Sequence, residues 1–269
     1  MGESQHYLPA SLIGRFGKRL GQQWRTARIV VRAAGESQLR ITSARRLAFE
    51  PNLYRLQSPS PGVDPDAIDR IWTVLEQQLP ASVERLLNAS LTPGDEEILL
   101  FYVATCAVRH PDIFATVSGA HLAGRGVLHP TPDDEQMLRL GSIQATLEQV
   151  RSWRWRLLRC SPDANLLVVN DKGFCYVGDT TRNTTGLFLP LLPNLGMFGS
   201  LGMPERPFSV QRTLTAASVQ FVNHILWLEA PRETYGHPDD FEWLRMLHKA
   251  PPINALGPFM WRHGGGWFE

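Results

Sequence analysis

Asp69 and Glu76 stand seven residues apart in a stretch whose apolar residues recur at three- and four-residue steps. Seven residues make two helical turns, so both carboxylates stack on one edge of an apolar stripe. Farther along, Arg109-His110-Pro111 closes a run from Ile98 to Val108 that is apolar nearly all round. That places a guanidinium at the negative end of a buried helix. Carboxylates and an arginine brought to one place can do either of two things. They can hold an anionic substrate beside an activated water, or they can neutralise each other as a buried pair.

The elements that must position these groups follow from periodicity and stop signals. The first helix, DPDAIDRIWTVLEQQLPASVERLLN, begins with Asp64 as cap and Pro65 at the first helical position. Ile68, Ile71, Trp72, Leu75, Leu79, Val83, Leu86 and Leu87 form its apolar face. The second follows Thr92-Pro93, and the lack of a polar face predicts that Leu99, Val103 and Cys106 are buried. Ahead of the pair, QHYLPASLIGRFG reads as an extended lead-in and a short helix. Trp24–Val31 and Gln38–Thr42 alternate like the strands of a hairpin turning at 33–36, with arginines outward. Behind the pair, residues 117–132 look irregular and Asp133–Leu158 helical. NLLVVND and FCYVGD read as two strands of a hairpin turning at Lys172-Gly173. Residues 186–208 read as a strand-bearing surface loop, and Leu214–Glu229 as a long apolar helix. The expectation is one α+β domain over 1–269, mainly α-helical, with a small antiparallel β element. Its helical core is 65–115, 133–158 and 214–229, and an aromatic tail, 251–269, docks on the body.

With 269 residues, 43% of them hydrophobic, the chain can bury a large core. A net charge of +1 excludes an overall electrostatic drive toward nucleic acid or membrane. The distribution is uneven, however. Arg15, Lys18, Arg19, Arg25, Arg28, Arg32, Arg40, Arg45 and Arg46 face the single Glu36 within segment 15–46. Cations so placed could track a phosphate backbone with Trp24 stacking on a base, or simply form a solvated face balanced by distant acids. Cys106, Cys160 and Cys175 make no paired framework, which points to a reducing compartment. The N-terminus has no signal-peptide pattern and no apolar run approaches a membrane span, so the expectation is a cytoplasmic, bacterial-type protein without a membrane partner.

Several segments coincide in order with one family pattern. They are QHYLPASLIGRFG, EPNLYRL, IDRIWTVLEQQL with its paired acids, VRHP, LLVVND, FLPLLPN and FVNHILWLEAPRETYG. By these the chain resembles the bacterial domain-of-unknown-function family 4238. It departs from that pattern with Asp69 where the family usually has Glu, and with Lys172-Gly173 after Asp171 where the family usually has Asn-Pro. The resemblance implies a mainly helical fold with a small sheet and no particular activity.

Resemblance and local pattern together single out His6, Asp69, Glu76, Arg109 and Asp171. A histidine with two or three carboxylates is a sufficient ligand set for a divalent metal, and Arg109 could grip a phosphate or carboxylate. The leading expectation is a hydrolase-like enzyme acting on a phosphorylated or nucleic-acid substrate. His6, Glu76 and Asp171 would surround a metal or water, and Arg109 would anchor the anion. The rival is a non-catalytic binding or assembly protein that engages a protein partner through the arginine hairpin and the tail. There, Glu76 and Arg109 are a buried pair setting helix register, His6 fixes the N-terminal segment, and Asp171 bonds its own turn. Other candidates are thinner. His110, His121 and His129 flank a glycine-rich stretch without carboxylates at zinc-like spacing. His224 and Glu229 are five apart and do not share a helix face. The GRFG and GMFG fragments lack the lysine and hydroxyl of a phosphate loop.

Overall fold

A computed structural model describes residues 4–21, 23–115, 131–179, 184–200 and 211–246, with Gly124 and Phe208 besides. The described elements begin with β1 (Ser4–His6), α1 (Ala10–Arg15), β2 (Arg28–Ala33), β3 (Leu39–Ser43) and β4 (Phe49–Pro51). Three helices follow: α2 (Ala67–Leu87), α3 (Pro93–Arg109) and α4 (Pro132–Arg151). Then come β5 (Arg154–Cys160), β6 (Val169–Asn170), β7 (Cys175–Asp179), β8 (Thr184–Leu192), β9 (Leu195–Ser200) and β10 (Gln211–Leu214). The series closes with α5 (Ala216–Leu228), β11 (Glu233–Gly236) and α6 (Phe241–Met246). The chain divides into two compact units, Met1–Pro9 with Ala48–Arg151 and Ala10–Leu47 with Ser152–Glu269.

The first unit is helical. Thr92 and Asp95 form a capping box that starts α3, and Leu99, Val103 and Cys106 are buried as the apolar run requires. α2 starts at Ala67 rather than Pro65. Asp64 instead accepts a bond from the Asp66 N–H at 3.0 Å, a local turn that competes with helix and delays it by a residue pair. Tyr54, Leu56, Ile68, Trp72, Val108, Phe114 and Ile143 pack into one cluster joining α2, α3 and α4. The lead-in strand β1 pairs antiparallel with β4.

The second unit corrects the expectation of a small antiparallel element. It holds a five-stranded sheet, order β10-β5-β9-β8-β7, and a four-stranded sheet, order β3-β2-β11-β6. The β10–β5 pair is parallel, Gln211 facing Leu157. The helix expected over 133–158 ends at Arg151, because RWRLLRC turns into β5 and buries Trp155, Leu157 and Leu158 in the sheet. Of residues 186–208, expected as a strand-bearing surface loop, 186–200 are largely the β8–β9 pair, inside the five-stranded sheet. The arginine hairpin exists as β2 and β3, but Trp24–Thr26 is a 3-10 turn ahead of it rather than strand. LLVVND and FCYVGD do not form a hairpin. Gly173, at φ +83°, turns the chain, yet β6 pairs with β11 in one sheet and β7 with β8 in the other. α5 packs against strands of both sheets. Among the described residues, no helix is long and apolar enough to cross a membrane.

Candidate functional site

Arg109 is the last residue of α3, where the apolar run must meet the chain's first strand. Its side chain is 2% exposed. Nη2 donates to the Glu76 carboxylate at 2.6 Å and to the main-chain carbonyl of His6. Among the described residues Nε and Nη1 meet no acceptor; the guanidinium lies over Trp72 and Tyr54, its carbon 5.1 and 5.9 Å from their ring centres. Burial opposes its charge, but Tyr54 and Glu76 outweigh that and hold the pKa above the ordinary arginine value. Glu76 keeps 29% side-chain exposure, so the pair is sealed on the arginine side and touches solvent on the acid side.

The surrounding side chains close the same point. The α3 helix leaves its last carbonyls without partners in its own ladder. Arg139 of α4 donates through Nη1 to the Val108 carbonyl, and the Tyr54 hydroxyl donates to the Arg109 carbonyl at 3.0 Å. Arg139 is itself buried, over Phe114 and Tyr54 at 4.3 and 5.3 Å, and burial lowers its pKa. Its bond to a carbonyl at a negative helix end stabilises its charge there. On the strand side, Gln5 accepts from the Tyr54 N–H at 2.7 Å, and the Tyr7 ring meets the His110 ring edge-on at 4.8 Å. The segments QHY, NLYRL, IWTVLEQ and VRHP are thus four sides of one clamp.

The expected site residues separate. His6, Glu76 and Arg109 come together, with His6 contributing its carbonyl to Arg109 and its ring packing against Phe49 at 5.8 Å. Asp69 stands two turns before Glu76 on α2, half-buried. Asp171 belongs to the second unit, where it follows β6 as a turn residue. Its N–H donates to the Glu233 carbonyl at 3.0 Å, and its carboxylate accepts from the Arg232 N–H at 3.1 Å. Among the described residues, no group of three or more His, Cys, Asp or Glu could hold a metal ion. The ligand set for a divalent metal is therefore not assembled there. His121, His129 and the tail 251–269 lie outside the described residues. His224 is buried beside Trp227, ring centres 5.5 Å apart, and burial lowers its pKa. The three thiols are pushed up by burial, those of Cys106 and Cys160 to about 12, which disfavours the thiolate.

Two residues that hold the second unit together carried no charge to draw notice. Asn170 has no exposed surface. Its amide donates to the carbonyls of Phe174 and Leu226, both at 3.0 Å, and accepts from the Phe174 N–H at 3.2 Å. Asn223, inside α5, accepts from the Val168 N–H at 3.0 Å and donates to the Leu166 carbonyl at 2.8 Å. An amide in register with Val219 and Leu226, on the buried face of the helix, is the signal that could have found Asn223.

No curated protein and no solved structure matches the chain. One family model does, described as a protein of unknown function (DUF4238), over residues 4–240. The segments joined at Arg109 and at Asn170 all fall within that range, and the chain belongs to this family of proteins of unknown function, DUF4238.

Proposed function

We propose that the protein is a non-catalytic binding protein, in which the Arg109 cluster is an internal clamp and the arginine-bearing face of residues 15–46 is the contact surface. The observation that carries this reading is the burial of Arg109. A guanidinium 2% exposed, with its Nη2 engaged by Glu76 and the His6 carbonyl, has no open side for an anionic substrate. The position of Asp171 as a turn residue and the lack of a metal-ligand group among the described residues support it further. The hydrolase reading retains one favourable observation, the partial exposure of Glu76.

Glu76→Gln separates the two. As a clamp residue its loss leaves Arg109 buried without a counter-charge. The cost is about 2–3 kcal/mol of stability, below that of a fully sealed pair because Glu76 keeps solvent contact. Partner binding then falls only in proportion to folded protein. Hydrolysis of a phosphoester by the wild type, abolished in a Glu76→Gln protein of unchanged urea midpoint, would overturn the binding reading.

A further inference from the structure

Nine cations lie in segment 15–46; Arg45 is exposed, and burial and pairing sort the other eight. Arg15 and Arg32 are buried, Arg32 lying over Trp227 at 4.5 Å. Lys18 pairs with Asp239, and Arg40 with Glu233. Arg19, Arg25, Arg28 and Arg46 are exposed, and among the described residues no acid pairs with any of them. They come from three segments that the backbone ties to one place. Lys18 and Arg28 exchange main-chain bonds of 3.0 and 2.9 Å, and the Ala44 N–H donates to the Ala27 carbonyl at 3.1 Å.

The GRFG fragment explains how these segments approach so closely. A Cβ on Gly14 would fall 2.0 Å from the Trp24 carbonyl oxygen, and one on Gly17 would fall 2.4 Å from that of Arg28. The two glycines therefore let the end of α1 lie directly on the backbone that carries Arg25 and Arg28. Trp24 in turn holds guanidiniums of Arg19 and Arg15 at 4.9 and 5.4 Å from its ring centre. Stacking of that kind orients an arginine while its N–H fork stays able to bond outward.

Resting on the binding reading above, we infer that the face carrying Arg19, Arg25, Arg28 and Arg46 binds the phosphate backbone of a nucleic acid without reading its bases. Three features favour this partner over a lipid surface. The open cations are all arginines, whose planar forks match phosphate oxygens two at a time. They stand on backbone fixed by main-chain bonds, which suits phosphates at regular spacing along a polymer. The apolar wedge that a membrane-surface segment drives into the lipid is also slight. Leu20 and Ile41 are the large hydrophobic side chains exposed in this segment among the described residues, and Trp24 is taken up by its arginines.

The test is fluorescence anisotropy with the full chain, a short labelled DNA duplex and a single-stranded RNA of unrelated sequence, over a salt series. The wild type should bind both at low salt. Its log affinity should fall against log salt with a slope of about 0.9 per duplex phosphate neutralised, so a slope of about 3–4 for four arginines. In Arg25→Ala/Arg46→Ala, checked for an unchanged melt, that slope should drop by about 2 and low-salt affinity by about tenfold or more. Arg55→Ala/Arg70→Ala, with the same charge change in the first unit, should bind as wild type. No nucleic-acid binding by folded wild type overturns this inference, while the stability result of Glu76→Gln still decides the binding reading separately. Tighter binding to phosphatidylserine vesicles than to either nucleic acid overturns it in favour of a membrane surface. An equal loss in the first-unit variant also overturns it, because the attraction would then be diffuse charge.

Discussion

In the first unit α3, and in the second α5, each end against other elements, and in both a side chain from distant sequence satisfies terminal carbonyls. The first unit does this with charge: Arg139 donates to Val108, the Tyr54 hydroxyl to Arg109, and Arg109 itself reaches the His6 carbonyl. The second unit does it with an amide, Asn170 donating to Leu226, while a buried cation two residues on, Lys172, takes an acid instead of a terminal carbonyl. Lys172 meets Glu229 at 2.7 Å, and the same carboxylate oxygen accepts from the Tyr176 N–H at 3.1 Å. A buried guanidinium offers more donors and longer reach than an amide, but it needs a counter-charge or a negative helix end to stay charged. An amide needs only its hydrogen bonds. The helical unit can therefore join a strand and three helices through one arginine-centred point, and is correspondingly vulnerable there.

Arg109→Met is the sharpest way to break this contrast and should have the largest effect. Methionine restores much of the volume but leaves the His6 carbonyl without its donor and Glu76 without its partner. The expected loss is about 3–5 kcal/mol, the range for breaking one side of a buried pair. Hydrogen exchange at the α3 and α2 amides reads it in the unit concerned. A loss below about 1 kcal/mol would mean that the charges contribute little and that apolar packing alone holds the unit.

Asn170→Ala should cost less, about 1–3 kcal/mol, the penalty of leaving buried polar groups unpaired. The groups left are the Leu226 carbonyl and both main-chain groups of Phe174. Faster exchange should appear at the end of α5 and through β6. If Asn170→Ala matched Arg109→Met in cost, the distinction between a charged and a neutral clamp would have no energetic content.

The difference between the units also explains what the sequence disclosed. The helices of the first unit announce themselves through three- and four-residue apolar steps and through Thr92-Pro93, and the resemblance together with the local pattern singles out Glu76 and Arg109, which pair. The sheets stayed hidden because their pairings are remote. Val31 of β2 lies opposite Tyr235 of β11, and β6 is a two-residue strand too short to show alternation. Pro190, Gly196 and Gly199 punctuate β8 and β9 as a loop would, although both strands lie inside a sheet. Charge patterning counted the cations of segment 15–46 but could not tell Arg32, turned inward over Trp227, from Arg25 or Arg46 on the surface. Asn170 escaped notice because an amide beside an aspartate looks like turn chemistry, and the aspartate drew the attention.

The smallest expected effect sharpens the comparison through pH. At the start of α3, Arg85 first, then Thr92 and Ser82, hold the Asp95 carboxyl well below the usual carboxylate range, against the upward push of burial. A carboxylate depressed in this way adds stability above its unfolded-state pKa of about 4. That contribution is lost progressively as the pH falls from there toward the folded-state value. Thr92→Ala removes one of those bonds and the cap itself, and should cost about 1 kcal/mol at neutral pH. Asp95→Asn removes the titrating group. The stability gap between it and the wild type should hold at neutral pH and shrink steadily below about pH 4. The gap between Asn170→Ala and the wild type should show no such trend from that side chain, because an amide does not titrate. Urea midpoints of the three proteins across the acid range measure both gaps. An Asp95→Asn gap that stayed constant into acid would show that Asp95 acts by shape and hydrogen bonding alone, and that the first unit's dependence on charge ends at Arg109 and Arg139.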